Sequence, residues 1–409
     1  MHITPEEFIQ RCSAFGTEPY GWETRKPYLS LVFPMEEYEL RLEKVRKAME
    51  AEGLDYMLFF GSGANKGSIE WLTGFPASEG DAIAIVPKKG DVMLTSNGIY
   101  HCSPMHSLIH RTWVKDFRPA HMPGAFRPAV KLMDYVQDYI REHNVQHVRI
   151  GIENGDIMSH AMWEELQHVL RENELAEADI GLRIRAIKSP REIAWIEQAC
   201  RVSDKGLMTA IVAARPGMRE CDLAALIYAA MADGSDYFFH MMISSGEACG
   251  LKHDYPSSRR MEDGDMIYVD LGISAYGYIT DTSRTWCVGH TGEFEHRLLD
   301  CGLEMYQAVV EKAKPGITPH QLQQAAFAVA GKHNLQEYFW PILGHGIGTE
   351  ISEMPHLGWG NQTPLQAGNV FALEPMVTKL GVGCAVIEDV ILITENGCRA
   401  LTDAPRKLW

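Results

Sequence analysis

The feature that most constrains the fold of this chain is an internal duplication in its second half. A Pro-Gly pair at 216–217 ends one helical pattern and precedes another, and a second Pro-Gly pair at 315–316 does the same. Further along each copy, residues 264–270 and 368–374 both begin with glycine, continue into an apolar run and end with an acid. Two helix–helix–strand units related by a pseudo-two-fold axis would bring these acids together. The duplication therefore predicts a curved antiparallel sheet with helices on its outer face.

Four carboxylates and one imidazole in the last third of the chain are the candidate functional residues: Asp270, Asp281, His345, Glu374 and Glu388. Asp270 ends one apolar run and Asp281 follows eleven residues later, so we expect a turn over 272–277 to place them across a hairpin. His345 stands between glycines, which leave its imidazole room to coordinate. Glu374 ends the second apolar run, and Glu388 lies inside a strand-like stretch.

The charge of these residues indicates what holds them together. Acids gathered in a protein interior repel one another by several kcal/mol, and a buried carboxylate without a partner does not stay charged. Taken singly, each acid is an ordinary salt-bridge or edge residue and the histidine an ordinary loop residue. Recurrence at five positions favours two divalent metal ions, which balance four carboxylates. Oxygen ligands with one imidazole suit Mn²⁺, Co²⁺, Fe²⁺ or Zn²⁺.

At these residues the chain resembles the pita-bread metallohydrolases, a family that includes methionine aminopeptidase, prolidase, aminopeptidase P and creatinase. The earlier half is similar to the creatinase/prolidase-type N-terminal domain, with Ser68-Ile-Glu-Trp-Leu-Thr-Gly-Phe75 at a characteristic turn. The resemblance implies an α/β (α+β) protein of two domains, the second a pseudo-two-fold pita-bread fold. We expect an extension at 1–34, the N-terminal domain at 35–185 and the catalytic domain at 186–409.

The resemblance also implies metal-binding roles. Asp270 would bind one metal ion, His345 and Glu374 would bind the other, and Asp281 and Glu388 would bridge the two. Mn²⁺ is the first choice of metal, with Zn²⁺, Co²⁺ and Fe²⁺ as alternatives.

Two residues would take part in catalysis by the same resemblance. Glu374 would take a proton from the nucleophile and pass it to the leaving nitrogen. His253, seventeen residues before Asp270, would contact the substrate.

One departure from the family pattern affects the reaction. Peptidases of this family carry a second histidine seven residues after the metal-binding one, and it donates to the substrate oxygen as negative charge develops there. Here Ser352 occupies that position, and serine is a shorter and weaker donor. His356 either reaches the same space, as the approximate repeat mate of His253, or is an ordinary surface-loop histidine. Ser352 and His356 thus join His253 as candidate substrate-binding residues.

Composition excludes several classes of partner. A formal net charge of −16 argues against nucleic acid and anionic membranes. Nine cysteines without a Cys-x-x-Cys pair are typical of reduced thiols in a cytoplasmic protein. The first residues have neither a basic region nor an apolar core, so we expect no signal peptide, and no apolar run approaches membrane-spanning length.

A helix-start signal marks the expected domain boundary. Ser189 is suited to the N-cap, Pro190 to the first helical position and Glu192 to the closing position of a capping box. We expect the linker between domains at 178–188.

Three functions compete. The first is an Xaa-Pro aminopeptidase or dipeptidase, a metal-dependent hydrolase of the C–N bond in a small peptide. The second, favoured by Ser352, is a relative acting on a small zwitterionic metabolite, as creatine and ectoine hydrolases and dimethylsulfoniopropionate lyase do. The third is a non-catalytic binding module, although such relatives generally lose metal ligands. The N-terminal domain in this family restricts access to the cleft, often across a dimer, so we expect a homodimer.

Overall fold

The computed structural model describes residues 4–7, 21–63, 65–77, 80–98, 107–120, 131–251 and 254–409. The chain divides into two compact units, Met1–Arg185 and Ala186–Trp409. Part of the expected extension at 1–34, and the whole of His253, lie outside the described residues.

Unit 1 alternates helices and strands. Its elements are α1 (Trp22–Arg25), α2 (Met35–Ala51), β1 (Tyr56–Ser62), α3 (Gly67–Thr73), β2 (Asp81–Pro87), β3 (Met93–Ser96), β4 (Asp116–Pro119), α4 (Leu132–Glu142), β5 (Arg149–Glu153), α5 (His160–Val169), β6 (Glu174–Glu177) and α6 (Ile180–Arg185), with short 3₁₀ turns at Lys26–Tyr28, Ser107–His110 and Gly155–Ile157.

The six strands described in unit 1 form one mixed sheet in the order β4-β3-β2-β1-β5-β6. Alternation along β1 sends its side chains to both faces. Met57 and Phe59 pack with buried residues of α2 and α3, whereas Leu58 and Phe60 pack with those of α4 and α5. Unit 1 is therefore a three-layer α/β/α domain.

Unit 2 is built from helix pairs and antiparallel strands. Its elements are α7 (Pro190–Ala213), α8 (Glu220–Met231), β7 (Tyr237–Ser245), β8 (Met266–Ala275), β9 (Tyr278–Ile279), β10 (Thr282–Cys287), α9 (Glu293–Lys312), α10 (Pro319–Lys332), β11 (Ile342–Gly346), β12 (Glu353–Gly358), β13 (Val370–Leu373), β14 (Met376–Lys379), β15 (Gly383–Val386), β16 (Asp389–Ile393) and β17 (Cys398–Ala400), with 3₁₀ turns at Gly246–Gly250 and Gln336–Tyr338.

Every strand pairing in this unit is antiparallel. One sheet has the order β10-β8-β7 with β9 added to β8, another has the order β12-β11-β13-β16-β17, and β14 pairs with β15. A bridge between Arg284 and Ile387 joins the first two sheets. The predicted antiparallel architecture is confirmed, although it is divided into linked sheets.

In unit 2, helices pack against one face of the sheet that contains β8 and one face of the sheet that contains β13, and the candidate acids lie on the opposite faces. Alternate residues of β8, from Ile267 to Ile273, pack with α7 and α8. Phe371 and Leu373 of β13 pack with α9 and α10. Alternation therefore directs Asp270, and Glu374 immediately after β13, to the opposite face.

The start of α7 follows the predicted capping chemistry. Ser189 Oγ accepts from the Glu192 backbone N–H at 3.2 Å, and Glu192 Oε2 accepts from the Ser189 N–H at 2.8 Å. Tyr278 also donates to Glu192 Oε1 at 2.9 Å, which ties the helix start to β9.

Details of the predicted hairpin are wrong. Asp270 does not end its strand, because β8 pairs on both sides and continues to Ala275. The turn is confined to Tyr276 and Gly277, both with positive φ, as a two-residue hairpin turn requires.

One further position differs from expectation. Glu388 lies between β15 and β16 rather than inside one strand. The expected linker at 178–188 contains α6 and also the division between the two compact units, which falls between Arg185 and Ala186.

Two composition-based expectations concern the whole chain. Among the described residues, no helix combines the length and apolar character needed to cross a membrane. The seven cysteines within the described ranges are free thiols, and Cys12 and Cys102 lie outside those ranges.

Candidate metal centre

Asp270 is held in the middle of β8 by two side chains. It is 6% exposed. The Tyr268 hydroxyl, two residues earlier on the same face, donates to Oδ2. Nε2 of His240, on β7, lies 2.9 Å from Oδ1. Both carboxylate oxygens are therefore fixed in direction.

Asp281 lies immediately before β10, where the strand register continues opposite Gly272. Its Oδ2 is 3.5 Å from His345 Nε2, and its Oδ1 is 3.3 Å from His240 Nε2. Among the described residues, Oδ1 is a buried oxygen without a hydrogen-bond partner, because the His240 contact lacks hydrogen-bond geometry. One carboxylate thus faces an imidazole on each side and keeps one oxygen unsatisfied.

His345 and Glu374 come from neighbouring strands of the second sheet. His345 is opposite Ala372, and its Nδ1 lies 3.2 Å from the Gly346 carbonyl oxygen. The backbone N–H of Glu374 donates to the Leu343 carbonyl at 2.8 Å, which continues the pairing of β11 with β13.

Glu388 is placed by the junction between the sheets. Because Leu373 is opposite Asp389, the register continues with Glu374 opposite Glu388. The Glu388 N–H donates to the Ser283 carbonyl at 3.1 Å. Its own carbonyl accepts from Thr282 Oγ1 at 2.9 Å and from Arg284 Nη1 at 2.6 Å. Three hydrogen bonds therefore fix the position of this backbone.

The pKa shifts show that the four acids share one neighbourhood. Burial, followed by the carboxylates of Asp270, Glu388 and Glu374, raises the pKa of Tyr268 well above its usual value. Its hydroxyl therefore remains a donor. Burial alone would raise the pKa of Asp281, but His240 and His345 outweigh burial and hold that pKa well below its usual range.

The pKa values of the two imidazoles, His240 and His345, are shifted upward. Burial alone would lower the pKa of His240, but Asp270 and Asp281 raise it to about 11. Burial also opposes the charged form of His345, yet Asp281 and Glu374 raise its pKa above the usual value.

The candidate substrate-binding residues Ser352 and His356 lie before β12 and within β12. His356 is in β12 directly opposite His345 and is exposed, so it is a surface residue as expected but lies in a strand rather than a loop. Burial, followed by the neighbouring His345, lowers the pKa of His356. Ser352 is exposed in the bend before β12. The structure thus places His356 beside a candidate ligand, while His253 lies outside the described residues.

A buried ion-pair network behind Glu388 was not identified from the sequence. Arg284, fully buried, donates from Nη2 to Asp389 Oδ1 at 2.7 Å. Arg406 Nε donates to Asp389 Oδ2 at 2.6 Å, and the Tyr306 hydroxyl donates to the same oxygen at 2.5 Å. Burial alone would raise the pKa of Asp389, but Arg284 and Arg406 outweigh burial and lower it.

Two further residues of the site were also missed. Tyr268 is detectable in principle, because it lies two residues before Asp270 and strand alternation places both on one face. His240 carries no comparable signal, since it stands in a mainly apolar strand far from the other candidates.

The donor set suits divalent cations. Carboxylate oxygens and imidazole nitrogens are the usual ligands of Mn²⁺, Zn²⁺, Co²⁺ and Fe²⁺. The unsatisfied Asp281 Oδ1 is the observation that fits a metal ion, since a buried carboxylate oxygen without a donor is costly. A metal ion held by such a cluster would polarise a carbonyl group and activate water.

Comparison with known proteins identifies the family. Residues 194–395 match metallopeptidase family M24, and residues 41–187 match the creatinase/prolidase N-terminal domain. An Xaa-Pro dipeptidase of Pyrococcus horikoshii is 36% identical over 262 residues, which is 63% of this chain and 74% of that protein. An Xaa-Pro dipeptidase of Pyrococcus furiosus is 34% identical over 284 residues, or 69% of this chain and 80% of that protein.

A solved structure supports the same assignment. The prolidase from Pyrococcus horikoshii OT3 has a TM-score of 0.77 and 27% identity, covering 90% of this chain and 99% of that one. The predicted resemblance and the predicted two-domain α/β fold class are therefore confirmed. This chain belongs to metallopeptidase family M24 and is a metal-dependent hydrolase.

Proposed function

We propose that this chain is an Xaa-Pro dipeptidase that works with two divalent metal ions. The observation that carries the proposal is the position of Asp281, whose two oxygens face His240 and His345 at 3.3 and 3.5 Å while one of them lacks a donor. A carboxylate in this position is suited to bridge two ions. The names of the relatives in Pyrococcus, which are Xaa-Pro dipeptidases, supply the substrate class.

The residues that would hold the ions come from both repeats. Asp270 would bind one ion, and His345 with Glu374 would bind the other. Asp281 and Glu388 would bridge them, since one follows the hairpin turn and the other lies at the junction of the sheets. The hydroxyl of Tyr268 would keep Asp270 oriented through its hydrogen bond to Oδ2.

The chemistry then follows from how these groups handle charge and protons. When bound, the ions supply positive charge that polarises the scissile carbonyl and makes water reactive near neutral pH. Glu374 takes the proton of the attacking water and passes it to the departing nitrogen. His253 contacts the substrate, and His356 donates to the carbonyl oxygen in place of the histidine that Ser352 replaces.

We also propose finer properties of the protein. Mn²⁺ is the preferred ion because carboxylate oxygens dominate the donor set. The described cysteines are free thiols, which supports a reducing, cytoplasmic location. We propose a homodimer that acts on short peptides. Light scattering coupled to gel filtration tests the dimer directly.

A second candidate function is hydrolysis or lysis of a small zwitterionic metabolite. The exposed Ser352 supports it, because the peptidase histidine is missing from that position. In a lyase, a base near the ions would remove a proton next to a carboxylate, and no water would be added. A binding module without catalysis is disfavoured, because family members that are scaffolds lose ligands that this chain retains.

A substrate panel with Mn²⁺ tests the proposal. Xaa-Pro dipeptides should be cleaved in preference to Xaa-Ala dipeptides, Xaa-Pro tripeptides and zwitterionic amides. Glu374→Gln should abolish turnover, while the exposed Glu395→Gln should retain it. Cleavage of the amides alone would overturn the peptidase assignment in favour of the second function.

A repair variant separates the two functions further. In a His356→Ala background, which lacks the proposed substitute donor, Ser352→His should increase Xaa-Pro cleavage if the site is a peptidase. An unchanged rate with normal metal content would instead support the metabolite relative.

A further inference from the structure

His240 belongs to the acid cluster by distance, although the sequence gives no reason to include it. Its side chain is 12% exposed, and its Nε2 lies 2.9 Å from Asp270 Oδ1 and 3.3 Å from Asp281 Oδ1. The three residues offer ligand atoms that all lie within 4.8 Å of one another. They form the group best placed to hold a cation among the described residues.

The backbone directs this imidazole into the site. A bulge in β7 between Phe238 and His240 sets His240 opposite Gly272, and Met242 opposite Asp270. Bulges commonly re-aim a side chain next to an active site. His240 therefore shares the face of Asp270.

Gly272 provides the space that the ring occupies. A Cβ atom at Gly272 would lie 2.4 Å from both Cε1 and Nδ1 of His240. On its other side, Gly272 is adjacent in register to Asp281. The imidazole thus passes over a residue without a side chain and reaches both acids.

The spacing agrees with shared metal coordination. Two ligand atoms that share an ion, each about 2.1 Å away, are about 3.0 Å apart at a right angle and about 3.4 Å apart at a tetrahedral angle. The two His240 contacts, at 2.9 and 3.3 Å, are close to this range. The longer contact lacks hydrogen-bond geometry, so hydrogen bonding alone leaves Asp281 Oδ1 unsatisfied.

We propose that His240 is a sixth metal ligand and binds the same ion as Asp270 and Asp281. Each ion then has one imidazole, His240 from the first repeat and His345 from the second, on either side of Asp281. A nitrogen donor in the Asp270 subsite raises its affinity for Co²⁺ and Zn²⁺ relative to an all-oxygen subsite. The inference rests on the proposed two-ion centre.

Titration of the metal-free full-length protein with Co²⁺ tests the proposal. Wild type should bind two ions, and His240→Ala should bind one of them at least about tenfold more weakly. Tenfold is the smallest loss of affinity expected for removing a residue that merely orients a metal ligand, so losing a ligand itself should cost at least that much. His333→Ala is the matched control, because His333 is similarly buried at 16% exposure and contacts Glu304 at 3.0 Å. This control should bind both ions normally.

Gly272→Ala provides a second variant if His240→Ala fails to fold. It retains every ligand but displaces the imidazole, and it should weaken the same ion. In Co²⁺-loaded wild type, proton NMR should show two shifted ring N–H signals from coordinated imidazoles. A single signal would overturn the proposal.

The remaining outcomes separate this inference from the proposed function. Unchanged or tighter binding by His240→Ala would overturn the inference and identify His240 as a counter-cation for the acids. No Co²⁺ binding by wild type would remove the two-ion centre altogether. Normal metal binding without Xaa-Pro cleavage would contradict only the dipeptidase assignment.

Discussion

Replacing Asp389 by asparagine removes the negative charge from the buried network behind Glu388. The Asp389 carboxylate accepts from Arg284, Arg406 and Tyr306, and also from Thr402 Oγ1 at 2.9 Å. An asparagine retains one acceptor oxygen and turns an NH₂ group towards donors. The Arg284 guanidinium, which is fully buried, then loses its counter-charge.

The expected loss in the free energy of unfolding lies at the low end of the range for breaking a buried ion pair. Removing one partner of a buried ion pair costs about 3–5 kcal/mol. Arg406 is 32% exposed and regains water, and Arg284 keeps the carbonyl oxygens of Ser283, Glu388 and Ala404. We therefore expect about 3 kcal/mol. For a unit of this length, that corresponds to a melting temperature lowered by about 6–12 °C.

Calorimetry of the full chain measures this loss. The matched control is Asp222→Asn, because Asp222 forms a similar two-contact pair with Arg219 on the exposed surface. Asp222→Asn should have the same melting temperature as wild type, since exposed ion pairs contribute little to stability. If Asp389→Asn also has the melting temperature of wild type, the buried ion pairs of Asp389 do not stabilise the fold and the prediction is refuted.

The pH dependence of stability independently tests whether the Asp389 carboxylate stabilises the fold in its charged form. Arg284 and Arg406 lower the folded-state pKa of Asp389, so its contribution is fully present above the unfolded value and is lost as pH falls. The stability difference between wild type and Asp389→Asn should be constant near neutrality and shrink below about pH 4. A difference that grows with acidity would contradict the assignment.

The other predictions concern the metal centre and the helix start. Removal of divalent ions with a chelator should lower the melting temperature of wild type, because an ion at 100 times its dissociation constant stabilises by about 2.7 kcal/mol per site; an unchanged melting curve would count against bound ions. Tyr268→Phe should weaken metal binding by about 10- to 100-fold in calorimetric titration, because Asp270 loses its orienting donor; full affinity would remove Tyr268 from that role. Ser189→Ala should cost about 1 kcal/mol in denaturant unfolding through loss of the α7 cap, and no change would refute the cap's contribution.

The features that could be predicted from the sequence depend on neighbouring residues. The capping box at Ser189 and the helix ends before the Pro-Gly pairs are written in a few consecutive positions. The placement of Asp270 and Glu374 on one face also follows from local alternation, given that the opposite face is covered by helices. These inferences need no knowledge of which strands pair.

The features that could not be predicted depend on long-range pairing. His240 faces Asp270 only because a bulge in β7 sets it opposite Gly272, and neither the bulge nor the pairing is visible in the sequence. Arg284 reaches Asp389 only because the two sheets meet at Ile387. The sequence does not predict the end of β8, because an acid inside a paired strand has the same local pattern as an acid at a strand end.

Glu388 and Asp389 show how adjacent acids are compensated in two different ways. Asp389 is neutralised by Arg284 and Arg406, and its hydroxyl donor Tyr306 belongs to α9 on the outer face. Glu388 belongs to the neighbourhood of Tyr268 on the other face. There, the described partners of Asp270 and Asp281 are imidazoles and one phenol, without arginine or lysine. Arginine is a permanent structural cation, whereas imidazoles can bind an exchangeable metal ion. The division of cations between the two faces therefore suits the inner face to metal binding, whereas the outer face is part of the core.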